Sequence, residues 1–98
     1  MRNYAVRTEH SMLSIYECEV GEGVPWHRHP YSHGHFVVAG RTLVEVGEEP
    51  GVEMIPGDQN RELPANVWHR LTAIAANTIF IHCADVNQRV ITEIKDAS

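Results

Sequence analysis

The chain has 98 residues, 43% of them hydrophobic and 21% charged, with a formal net charge of −5. That length suits one domain with one modest core, and an acidic balance with no basic cluster argues against nucleic acid as a partner. No apolar run approaches the roughly 20 residues that span a bilayer, and the start, Met1 to His10, lacks the apolar core of a signal peptide, so no membrane contact and a cytoplasmic location are the default expectations.

Along the chain the apolar period is two far more often than 3.6, which predicts strands. A single domain over 1–98 is expected, with a core over about 10–86 and terminal arms at 1–9 and 87–98. Met12 to Val20 alternates Tyr16, Cys18 and Val20 with Glu17 and Glu19, the pattern of a half-buried strand. Next comes Gly21-Glu-Gly-Val-Pro-Trp-His27-Arg-His29-Pro-Tyr-Ser-His33-Gly-His35, four histidines within nine residues. Phe36–Ala39 and Thr42–Val46 are β-branched runs flanking Gly40. The turn residues Gly47 to Gly51 then lead into Val52–Ile55 as a hairpin.

Pro56-Gly57-Asp58 marks a further turn, Arg61–Leu63 a short strand and Pro64-Ala-Asn66 another turn. Val67–Thr72 and Thr78–Cys83 complete the core strands, and Val90–Ile94 reads as a terminal strand. Only Leu71 to Ala76 would tolerate a helical turn. Many short strands separated by Gly, Pro and Asn turns predict an all-β antiparallel sandwich or barrel.

His27 and His29, at i and i+2 on a strand, project the same way, close enough to share one ion. Neutral imidazole is the commonest protein ligand for first-row transition metals. Cys18 and Cys83 lack any CxxC spacing and read as free, buried thiols. Neither supports a Cys/His nucleophile, and phosphate-cradling glycine loops are absent. Tyr31 and Trp26 flank the histidines as candidate walls of a site, or as packing. Arg41 and Arg61 are candidate carboxylate clamps, with a solvated surface role as the plainer reading. His82 reads as a satisfied or exposed histidine, and His10 has little claim to a role.

Gly21, five residues, His27-x-His29, three residues, His33, six residues and Gly40 together resemble the first motif of the cupin superfamily at every interval. His33 stands where that family usually has glutamate. Pro64-Ala-Asn66-Val-Trp-His69 is similar to the second motif, with Asn66 in place of the usual glycine. Asn77 is a loose counterpart of its final asparagine. The resemblance spans roughly residues 10 to 86 and implies a double-stranded β-helix, a jelly-roll barrel of six to eight strands.

The same resemblance implies His27, His29, His33 and His69 as ligands of one divalent transition metal ion, iron, manganese, nickel or zinc. Four neutral imidazoles would leave the ion's full +2 charge uncancelled, which favours a small anionic ligand or substrate. His35, two residues past His33, is a candidate catalytic proton carrier, hydrogen-bond partner of a ligand, or alternative ligand, and otherwise a core histidine.

Cupins catalyse many reactions, so the resemblance fixes none. Dioxygenase-type oxidoreductase chemistry is the first expectation, a redox-neutral isomerase, cyclase or lyase the second, and a non-catalytic ligand- or metal-sensing module the third. A homodimer is expected, with Arg89 to Ile94 as the candidate contact.

Overall fold

The computed structural model describes residues 1–86 and 92–95. Among them are ten strands and no helix: β1 (Arg2–Arg7), β2 (Ser11–Cys18), β3 (Gly23–Arg28), β4 (His33–Ala39), β5 (Thr42–Val46), β6 (Val52–Met54), β7 (Arg61–Leu63), β8 (His69–Ala73), β9 (Thr78–Asp85) and β10 (Glu93–Ile94). They form two five-stranded sheets, β1-β2-β9-β4-β7 and β10-β3-β8-β5-β6, with every pairing antiparallel. From β3 onward the chain passes back and forth between the sheets, which is the winding of a double-stranded β-helix.

The period-two pattern explains which face is buried. On β9, Thr78, Phe80 and His82 point inward, while Ile79, Ile81 and Cys83 point outward. On β5 and β8 the inward set is Thr42, Val44, Val46, His69, Leu71 and Ala73. The interior is therefore divided. Cys18, Val37, Val44, Met54, Leu71 and Phe80 belong to its apolar core, and the buried polar side chains are mostly histidines.

Several boundaries differ from the expected ones. The arm at 1–9 contains β1, an edge strand held by β2, because its alternating Tyr4 and Val6 sit opposite Ile15 and Leu13. Ten strands exceed the six to eight implied by the resemblance, since β1 and the two-residue β10 extend the sheet edges. Leu71 is in β8, so no helical turn forms there. Of the expected terminal strand, Val90 and Ile91 lie outside the described residues, as does Arg89 of the proposed dimer contact. Glu93 and Ile94 pair with Arg28 and His27 of the same chain. Cys18 and Cys83 are both free, Cys18 buried and Cys83 half-buried.

Two turns hold the motif strands in place through unusual backbone. Gly40 has φ of 78°, and a Cβ there would lie 2.3 Å from Thr78 Oγ1. Only glycine fits that approach. Asn66, where the cupin motif usually has glycine, has φ of 61°. Asparagine is among the few other residues that visit this region readily. From this turn the Asn66 N–H donates to the His29 carbonyl at 2.6 Å, tying the second motif to the first.

Candidate metal centre

Three strands and one loop bring four imidazoles together. His27 on β3 and His69 on β8 are direct cross-strand partners, with ring centroids 4.0 Å apart. A bulge between Val24 and His27 accommodates Pro25, which has no N–H to give to a sheet ladder. His33 enters from β4 in the opposite sheet, and His29 follows the end of β3. One ligating nitrogen from each of His27, His29, His33 and His69 lies within 4.8 Å of the others. The cluster thus spans both sheets.

The tautomers follow from the hydrogen bonds. Nδ1–H of His27 donates to the Pro25 carbonyl at 2.6 Å, that of His69 to the Val67 carbonyl at 2.9 Å, and that of His33 to the Gly34 carbonyl at 3.3 Å. His29 Nδ1 lies 3.2 Å from the Thr92 hydroxyl. A neutral imidazole with its proton on Nδ1 presents a bare lone pair at Nε2. His33 Nε2 and His69 Nε2 are nevertheless 3.2 Å apart. Two lone pairs at that distance are placed to hold one cation between them, and the donor set fits a first-row transition ion.

A shared proton is a poor substitute. Burial first, and then neighbouring imidazole charge, push His27, His33 and His69 from the usual 6.5 down to about 4, although the carbonyl hydrogen bonds pull the other way. At neutral pH these rings are uncharged and ready to ligate. The unfolded chain takes up protons on them near pH 6.5, whereas the folded chain resists until about pH 4. Between those values the unfolded state binds more protons, so stability is full above pH 6.5 and falls as pH drops toward 4. The melting temperature of metal-free protein should therefore decline steeply across that window. A flat profile from pH 7 to 4 would contradict this account of the cluster.

A second polar layer lies beside the ligands. His35 is fully buried, with Nε2 3.0 Å from the Thr42 hydroxyl and Nδ1 3.1 Å from His82 Nε2. Burial pushes His35 to about 3 and His82 well below its usual value. His82 also packs on His33, with centroids 4.5 Å apart. A cavity of about 110 Å³ reaches this point, lined by Tyr16, Tyr31, His29, His33 and His82 among others. His35 is not part of its lining. His82, which the sequence reading set aside, stands between His35 and the cavity. Alternation puts His82 on the face opposite Ile81 and Cys83, and only the pairing of β9 with β2 and β4 shows that this face turns inward.

The remaining candidates separate cleanly. Tyr31 stacks on His29 at 4.9 Å and walls the cavity. Trp26 and Trp68 are covered by cations instead, Arg70 lying 5.2 Å from Trp26 and Arg28 4.5 Å from Trp68. Arg41 pairs with Glu53 and Arg61 with Glu49, so both act as surface residues. Asn77 occupies the turn before β9, with φ of 55°. His10 is exposed. A larger hollow of about 360 Å³, near Glu17, Glu22 and Asn77, touches none of the histidines.

A family model described as Cupin domain matches residues 14–81. The chain belongs to the cupin family. No curated protein matches this cupin, but solved structures share its fold. A cupin 2 domain-containing protein from Halorhodospira halophila superposes with a TM-score of 0.83 at 22% identity, covering 98% of this chain and 70% of that one. The DMSP lyase DddQ from Ruegeria pomeroyi DSS-3 superposes with a TM-score of 0.79 at 15% identity, covering 95% of this chain and 50% of the lyase, so the cupin spans half of that enzyme's length. KdgF from Halomonas sp. gives 0.76 at 22% identity, covering 88% and 78%. At these identities the likeness establishes the double-stranded β-helix fold alone, and the histidine cluster able to bind a metal ion rests on this chain's own geometry. No described helix is long and apolar enough to cross a membrane.

Proposed function

We propose that this cupin is a metal-dependent enzyme acting on a small anionic or enolisable substrate, with His27, His29, His33 and His69 holding one divalent ion of iron, manganese, nickel or zinc. The observation that carries this reading is the convergence of four ligating nitrogens beside a small cavity walled by two tyrosines. When bound, the ion supplies a +2 charge that no ligand carboxylate cancels, and so polarises a carboxylate or carbonyl oxygen.

The chain's own groups complete the pocket. Burial raises the Tyr16 and Tyr31 phenols above their usual value, so both stay protonated at neutral pH and are able to donate hydrogen bonds to an anion. The stack on His29 fixes the Tyr31 ring. His35 and Thr42 form a buried chain behind His82. Because burial keeps His35 neutral, its part is to hold His82 in one orientation, and a proton crosses this chain only when each ring releases one as it gains another. A cavity of about 110 Å³ admits a group of roughly benzene's size or smaller.

Phenol donors suited to a developing enolate favour the redox-neutral isomerase or lyase reading over the dioxygenase one, and the fold likeness to proteins named DMSP lyases agrees with it. The test is reconstitution with each metal, then incubation with a panel of small 2-oxo, 2-hydroxy and 3-substituted carboxylates in D2O. Deuterium exchange at the α-carbon or formation of an elimination product, without oxygen uptake and weakened in Tyr31→Phe, is the expected result. Oxygen uptake in step with substrate loss would replace this reading with a dioxygenase. Tight metal binding without turnover would replace it with a sensing or binding module.

A further inference from the structure

We propose, resting on the four-histidine ligand set, that Thr92 to Lys95 form a strap that completes the metal centre, with Thr92 as the positioning residue of His29. Three of the ligands have Nδ1 held from within one or two residues, His27 by the Pro25 carbonyl, His69 by that of Val67 and His33 by that of Gly34. Their own backbone sets the tautomer. The Nδ1 of His29 instead lies 3.2 Å from the Thr92 hydroxyl, 63 residues along the chain. An oxygen that accepts Nδ1–H there puts the ring's lone pair on Nε2, as in the other three.

Thr92, Glu93, Ile94 and Lys95 are all exposed, so burial does not hold this segment. Directional contacts do. Glu93 and Ile94 pair with Arg28 and His27 at the edge of the sheet, and the Lys95 N–H donates to the Trp26 carbonyl at 2.9 Å. The Arg28 guanidinium forks onto Glu93, Nε to Oε2 at 2.9 Å and Nη2 to Oε1 at 3.1 Å. The same guanidinium lies 4.5 Å from the Trp68 ring, and Lys95 Nζ lies 5.7 Å from that of Trp26.

Alternation along β3 ties this clasp to the site. Trp26 and Arg28 point outward and grip the strap, while His27 between them is buried in the cluster. Arg28 is also the residue before His29, so the strap is fastened where the ligands stand. Thr92 lines the cavity of about 110 Å³ together with His29 and Tyr31. Since Tyr31 stacks on His29, the imidazole is held on its face by one side chain and at Nδ1 by the other.

The experiment is the Zn2+ affinity of the full chain at neutral pH, measured by competition with a chromophoric chelator, with Co2+ absorption spectra as a second readout of the ligand set. Thr92→Val should bind Zn2+ about 10- to 100-fold more weakly than the wild type and alter the Co2+ bands, the cost of losing a ligand's hydrogen-bond partner. Thr92→Ser, which keeps the hydroxyl, should bind as the wild type does. Glu93→Arg sets like charges at the clasp and should reproduce the loss. Combined with Thr92→Val it should add nothing further, because both act through one hydrogen bond. Thr92 is exposed, so neither substitution there disturbs the core. Equal affinity in Thr92→Val and a zinc-binding wild type would overturn the proposal and leave the four-histidine site standing. Equal losses in Thr92→Ser and Thr92→Val would overturn it as well, since the hydroxyl would then not be the agent. A wild type with no affinity for Zn2+ would overturn the four-histidine reading itself, and the strap's role with it.

Discussion

Cupin protein purified without a metal column should carry close to one equivalent of a first-row transition ion, and His27→Ala and His69→Ala should each lose it. Loss of a residue that merely supports a ligand lowers metal affinity 10- to 100-fold in other sites, so removing a ligand should cost on the order of 100-fold or more. His69 is the sharper probe. It lies on β8, far along the chain from the His27 to His33 run, and reaches the cluster only because His27 and His69 are paired across two strands. An adventitious histidine-rich loop would keep its metal in His69→Ala. Elemental analysis of the three proteins decides the matter, with circular dichroism confirming that the variants remain folded. A wild type that neither contains metal nor takes it up on reconstitution would remove the enzyme reading and leave a structural or binding barrel.

Phe80→Ala should destabilise the protein by about 3–5 kcal/mol, a large share of the roughly 5–15 kcal/mol that holds a domain of this kind together. Phe80 is fully buried and stacks on Tyr16 with ring centroids 4.8 Å apart. It also lies 5.1 Å from His35 and 5.3 Å from His82, at the seam between the apolar core and the histidine layer. Truncation therefore opens a cavity and loosens both the His82 support and the Tyr16 wall of the pocket. Urea denaturation of metal-free protein measures the effect through the shift in midpoint. A loss below about 1 kcal/mol would mean that the neighbours collapse into the space and that Phe80 is not the packing centre assigned to it.

The strand reading succeeded where alternation was strong and turn chemistry explicit. Arg61–Leu63 and Thr42–Val46 match the observed strands residue for residue, because Pro and Gly bound the first and Gly40 and Gly47 the second. It missed β1, where Arg2, Asn3 and Arg7 dilute the apolar signal and pairing with β2 supplies the order. Asn66 was legible as a departure from the cupin motif, and its left-handed backbone explains why asparagine serves there in place of glycine. His82 was not legible as a member of the polar layer. Its strand alternates apolar residues on both sides, and nothing local distinguishes the interior face from the exterior one.

From the order of residues alone came the all-β class, the motif spacing and the four histidines able to share an ion, because strand periodicity and intervals between residue types are local properties of a chain. Folding supplied the rest: the His27 and His69 pairing, the confrontation of two bare nitrogens at 3.2 Å, the placement of His82 ahead of His35, and the approach of Thr92 to His29. These depend on cross-strand register and on which face of each sheet turns inward. Both are set by packing among strands distant in sequence, and a slip of one residue would reverse every side chain on a strand.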